Sequence, residues 1–304
     1  MSIRVRPLSF LGSYPDPDIR IGTDLLLRSG HILFLCTKNR TVERFGRSGP
    51  DQPAFELDNW TVQEVRFLAA IYLGNGESSG VRLYPLPIFR DIDEQAVDAV
   101  IEDETLLKPL LTPAATDDYF MAGNHGLLPQ KLSQYQFFDW DDRRLEQATT
   151  FFSAADVNDP ILVRGLHALL KSEMLFNHFQ FRDASLASSH IALDAAYSMI
   201  LRQLRTLGAR NPSSYDAQAY MDEMYGVPHT QLKFFEDFYT DRVRNFHTDS
   251  RYGAEPIPFF SIDDIWDLNA ALKGLFYRLV TGDLHDETRR NRDEYLRYNM
   301  IEVG

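Results

Sequence analysis

Residues 184–207, ASLASSHIALDAAYSMILRQLRTL, decide the fold: small residues and leucines run through them at helical spacing, and Gly208 closes the run. The same punctuation recurs on either side. Ile161 to Phe176 is apolar at helical spacing, and Ser214 to Tyr225 reads as a short helix stopped by Gly226 and Pro228. Phe234 to His247 reads as an amphipathic helix that ends in the turn-rich residues 248–256. Ser261 then caps a helix with Asp264 three residues on, and Ile262, Ile265, Leu268, Leu272, Leu275, Phe276 and Leu279 form its inner face up to Gly282. Short loops between such helices favour antiparallel neighbours, so a four- or five-helix up-and-down bundle is expected.

The first 150 residues have a different texture. Asp24 to Thr37 holds two short apolar runs around Ser29 and Gly30, which predicts a β-hairpin, and Asn75-Gly76 with Gly80 marks a turn before Val81-Arg-Leu-Tyr-Pro. Val62 to Leu73 fits a helix or a long strand equally well, because periodicity does not separate the two here. The expected fold class is α+β. A mixed, strand-containing recognition domain over 1–150 precedes an all-helical domain over 151–304.

Composition narrows the function. The 304 residues are 44% hydrophobic and 12% aromatic, ample for buried cores. No apolar run approaches the roughly 20 residues that span a bilayer, and no apolar segment of a signal peptide follows Met1-Ser-Ile-Arg-Val-Arg. A cytoplasmic protein with no membrane partner is expected. The single Cys36, beside Phe34 and Leu35, predicts a buried thiol rather than a nucleophile. The net charge of −13 is shared by both halves, so neither is the basic body of a general nucleic-acid binder. Residues 1–50 nevertheless carry eight Lys/Arg against four Asp/Glu, which leaves room for a local positive face.

One helix stands out for chemistry. At about 100° per residue Leu232, Phe235, Phe238, Tyr239, Val243 and Phe246 share one stripe, and Arg242 lies inside it while Arg244 points away. A guanidinium does not give up its proton, so an arginine on an apolar face needs a carboxylate, carbonyls, a second subunit or a bound anion. His247, five residues on, lies at the edge of the same stripe. An Arg–His pair at such short range proves little by itself, because Arg278 and His285, seven residues apart, form a second; that pair straddles Gly282 and reads as helix C-terminal capping and solvated charge.

In this context Phe238-Tyr-Thr-Asp-Arg-Val-Arg-Asn-Phe-His247, within residues 160–282, resembles the Arg-x4–6-His motif of the HEPN superfamily of helical bundles. Val243 departs from the family pattern, in which the residue after the arginine is often polar. The resemblance implies a homodimer formed through the helical domain, with two motifs meeting at its interface and cleaving RNA without a metal or cofactor. His247 would then be general acid or base, and Arg242 would hold the scissile phosphate. Arg244, Asn245 and Arg251 would make further phosphate contacts, and Tyr239 would stack a base or pack. Such ribonucleases belong to defence, toxin or stress responses. The resemblance equally fits an inactive HEPN-like module that dimerises or docks a protein or nucleic-acid partner, with Arg242 tied to a carboxylate of an adjacent helix.

Other constellations are poorer. His167, His178 and His190 lack acidic residues at ligand spacing and read as structural, and Asp139-Trp-Asp-Asp142 reads as a solvated turn. No Gly-rich phosphate loop, Gly-x-Ser-x-Gly or paired-Cys motif gives grounds for ATP hydrolysis, redox chemistry or zinc hydrolysis.

Overall fold

Strand β1 (Ser2–Phe10) alternates apolar and basic residues, yet both of its faces are covered. Ile3 and Val5 on one face and Arg4 and Arg6 on the other are all at most 3% exposed. This is the pattern of a central strand, and β1 is central. In a computed structural model, which describes residues 2–10, 18–29, 32–39, 54–55, 60–77, 83–85, 88–92, 109, 141–227, 234–238 and 261–302, it pairs with three other strands. These are β4 (Ile32–Asn39), β6 (Leu83–Pro85) and β7 (Ile88–Ile92).

The sheet is antiparallel, in the order β2-β3-β4-β1-β7-β5, with β2 at Ile19–Ile21, β3 at Asp24–Ser29 and β5 at Ala54–Phe55. The expected hairpin is present: β3 and β4 pair with Ser29 opposite Ile32, and Leu25, Leu26, Leu27, Phe34 and Leu35 are fully buried. Cys36 is buried in β4, where loss of solvation pushes its thiol far up, out of the range of a nucleophile.

The segment left open between helix and strand is helix α1 (Val62–Gly74). Thr61 and Glu64 start it as a capping box: Thr61 Oγ1 accepts from the Glu64 N–H at 3.0 Å, and Glu64 Oε2 accepts from the Thr61 N–H at 2.8 Å. Helix α2 (Asp142–Ala154) follows, with Asp141 accepting from the Arg144 N–H at its start. The acidic stretch expected to be a solvated turn therefore ends in a helix cap, which is the place where a short acid satisfies orphan amides. Phe152 of α2 meets Phe67 edge-on at 6.3 Å and lies 4.0 Å under the Arg66 guanidinium, whose Nε donates to the Phe152 carbonyl.

From residue 160 the described elements are helical, and the chain is α+β as expected. Helix α3 (Pro160–Phe176) opens on Asp159, which caps the Ile161 and Leu162 amides and pairs with Arg202. Helix α4 (Arg182–Thr206) is the long small-residue helix, α5 is Ser214–Tyr225, α6 is Ile262–Thr281 and α7 is Asp286–Glu302. Capping boxes start α5 and α6, and Gly226 and Gly282 end them at φ 70° and 76°, the left-handed geometry that glycine enters without a Cβ clash. Helix α7 had no counterpart in the sequence reading, because its residues are mostly charged and give little apolar periodicity.

Helices α3 and α4 pack side by side, α6 packs on both, α5 packs on α4, and α7 packs on α5. The α6 stripe Ile265, Leu268, Leu272, Leu275 and Phe276 is fully buried, which contributes roughly 1.5–3 kcal/mol per side chain. Contacts divide the chain into two compact units: Met1–Ile71 with Gly80–Ser153, and Tyr72–Ser79 with Ala154–Gly304. No described helix is long and apolar enough to cross a membrane.

Candidate functional site

The motif residues Arg242 and His247, with Tyr239, Arg244, Asn245 and Arg251, lie outside the described residues. The start of their helix does not. Residues 234–238 are helical, with Phe235 buried, Glu236 and Asp237 exposed, and Phe234 and Phe238 half-buried. Phe235 packs on Tyr197 of α4 at 5.3 Å between ring centroids. The apolar stripe read from the sequence therefore faces the helical unit in this first turn.

The second Arg–His pair corrects its sequence reading. His285 is 5% exposed rather than solvated, and it caps the N-terminus of α7 rather than the C-terminus of α6. Its Nδ1 accepts the Glu287 N–H at 3.1 Å, which assigns the proton to Nε2, 3.2 Å from the Gly74 carbonyl. Arg278 meets different groups, Glu223 at 3.0 Å and the Tyr220 ring at 4.5 Å. The two side chains do not share these partners.

What the sequence did not reveal is a line of polar residues along α6. Asn269, Lys273 and Tyr277 follow one another at four-residue spacing and are all buried, beside the apolar stripe. Asn269 enters a closed hydrogen-bond network: its Nδ2 donates to Ser172 Oγ at 2.9 Å, and its Oδ1 accepts from Ser189 Oγ at 2.7 Å. Ser185 Oγ donates to the Ser172 carbonyl at 2.8 Å. Three helices are thus joined through groups that water does not reach.

One turn on, Lys273 is 4% exposed, and its Nζ lies 4.8 Å from the centre of the Tyr72 ring. Glu77, 8% exposed, accepts from the Thr288 and Tyr225 hydroxyls. Burial pushes its carboxyl up to about 7; the Glu287 charge adds to the rise, while the two hydroxyls and Lys273 oppose it. Burial also lowers Lys273, against the pull of Glu173, Glu287 and Glu77. Desolvation of its hydroxyl and the Glu77 charge hold the Tyr225 phenol protonated. Gly274 makes room for this cluster, since a Cβ there would sit 1.9 Å from Glu77 Oε1. Chemically the cluster holds a proton that exchanges near neutrality. Structurally it fastens the Asn75–Glu77 turn to α6 and α7, and the readable signal for it was the cation at four-residue spacing from Asn269.

No protein-family model, curated protein or solved structure matches this chain. The described part of the helical unit also has an open cavity of about 450 Å³ where α6 turns into α7, lined by Arg278, Asp283, Arg289, Arg292, Asp293 and Leu296 among others. Of its arginines the sequence drew attention only to Arg278; Arg289 and Arg292 fall in α7, which has no apolar pattern to frame them. Among the described residues no group of three His, Cys, Asp or Glu is placed to hold a metal ion.

Proposed function

We propose that the chain is a HEPN-like, metal-independent endoribonuclease that acts as a homodimer in a defence, toxin or stress response. The observation that supports this reading best is the phase of residues 234–238, with Phe235 inward against Tyr197 and Glu236 and Asp237 outward. Arg242 is seven residues from Phe235, so a helix continued at about 100° per residue would bring it roughly 20° from that inward direction. A cation on an inward face requires a partner, and a scissile phosphate at a dimer interface supplies one. His247 serves as general acid or base on the ribose 2′-hydroxyl or the leaving oxygen, and Arg242 stabilises charge on the phosphate.

A second reading keeps the HEPN-like domain but makes it an inactive module that dimerises or docks a partner. The net charge of −13 favours it, because RNA affinity rests on phosphate neutralisation. So does the turn between α3 and α4, where Phe179 and Phe181 are 76% and 52% exposed.

End-group analysis of treated RNA separates the two. Attack by the 2′-hydroxyl leaves a 2′,3′-cyclic phosphate and a 5′-hydroxyl, in EDTA as well as without it. Intact RNA after incubation with the dimeric protein, together with retained partner binding, favours the module.

A further inference from the structure

Arginine carries five donors and no acceptor, so three arginines around one cavity seek oxygen-rich ligands unless carboxylates satisfy all of them. At the α6–α7 turn they do not. Arg278 uses one Nη on Glu223, lies over the Tyr220 ring and hydrogen-bonds its hydroxyl, and Arg289 uses one Nη on Asp283 at 2.7 Å and on the Leu284 carbonyl at 3.4 Å. Each is held in place with donors to spare. Arg292 is different: its Nε is shut off from solvent and has no hydrogen-bond partner among the described residues.

A buried guanidinium N–H without an acceptor is costly, and a structure that retains one gains when an acceptor arrives. The end of α5 packs on the stem of Arg292 and leaves its guanidinium able to turn. A Cβ on Gly226 would come within 3.0 Å of Arg292 Cγ and 3.1 Å of Leu296 Cγ, so α5 ends in close contact with that side chain. On the other side the cavity is unobstructed, since a Cβ on Gly282 would meet nothing within 4 Å.

We propose that this cavity binds the phosphate group of a small phosphorylated ligand. Arg292 turns to present its fork to the phosphate oxygens, and the free edges of Arg278 and Arg289 complete the contact. The volume of about 450 Å³ exceeds the need of a bare tetrahedral anion and matches the pockets that hold a small organic body. Asp283 and Asp293 also line the cavity and Glu223 pairs with Arg278, so three cations stand against three carboxylates and binding is selective rather than tight. The site is independent of the nuclease reading, because none of its lining residues belongs to the Arg242–His247 motif.

The test uses the full chain and inorganic phosphate, which presents the group alone, against sodium chloride at equal ionic strength, by calorimetry and thermal shift. Phosphate binds saturably and chloride does not. Arg292→Gln weakens phosphate by about fivefold or more, and Asp293→Asn, at an exposed position, tightens it by removing a repelling charge. The Asp293→Asn arm remains decisive if Arg292→Gln fails to fold. Phosphate indistinguishable from chloride, or affinity unchanged in Asp293→Asn or in a folded Arg292→Gln, overturns the assignment.

Discussion

The Arg6 guanidinium grips the Glu64 carboxylate with two hydrogen bonds, Nε to Oε1 at 2.7 Å and Nη2 to Oε2 at 3.2 Å, and both side chains are 1% exposed. Glu64 also closes the capping box of α1, so one carboxylate anchors the central strand and starts the helix beside it. Phe89 covers the same face, its ring centre 3.8 Å from the Arg4 guanidinium carbon and 4.9 Å from that of Arg6.

Breaking this pair is costly because the survivor stays buried with its charge. Arg6→Ala and Glu64→Ala are each expected to destabilise the protein by about 3–5 kcal/mol in urea unfolding, while the paired replacement Arg6→Met with Glu64→Leu costs much less. Single variants as stable as the parent would show that this pair carries no stability.

Glu77 sets a pH dependence whose sign follows from its environment. Its carboxyl rises from the ordinary 4.5 to about 7 on folding, so its stabilising contribution is complete below about pH 4.5 and is lost as pH climbs through about 7. Asp24, raised by burial from 3.8 to about 6, acts in the same direction. Glu77→Gln does not ionise. Between about pH 4.5 and 8 its stability relative to the parent should therefore improve by something on the order of 3 kcal/mol. Parallel stability curves for the two proteins would show that Glu77 does not titrate in this window.

At Gly165 helix α3 comes close to both α4 and α6. A Cβ there would sit 2.6 Å from Phe276 Cζ and 2.7 Å from Ala195 Cβ, neither of which can yield without shifting a helix or a packed ring. Gly165→Ala, normally favourable inside a helix, is expected to cost about 1–3 kcal/mol here, read as a lower urea midpoint. Gly208→Ala, with nothing within 4 Å of its Cβ, carries only the strain of its φ of 102°.

These features differ in how far the sequence reveals them. Helix boundaries with local chemistry were legible: Ser261 and Asp264 at the start of α6, Gly282 at its end, and the hairpin at Ser29 all depend on near neighbours in the chain. Periodicity alone leaves the α1 segment ambiguous, and Thr61-x-x-Glu64, a capping box readable in the sequence, is what marks it as a helix. Helix α7 was hidden by composition, since it is started by His285 and packs on α5 with few apolar residues. Glu77, Lys273 and Thr288 are the hardest case. Residues 77 and 288 meet across the chain, and no local spacing announces a contact at that separation.

RNA cleavage in EDTA tests the central proposal most directly. The rates of the purified protein, Arg242→Ala and His247→Ala are compared on total cellular RNA and tRNA after their folding and oligomeric state have been matched. Metal-independent cleavage by the parent, reduced at least about 100-fold in both variants, is the expected result. Cleavage by His247→Ala at the parent rate would contradict it.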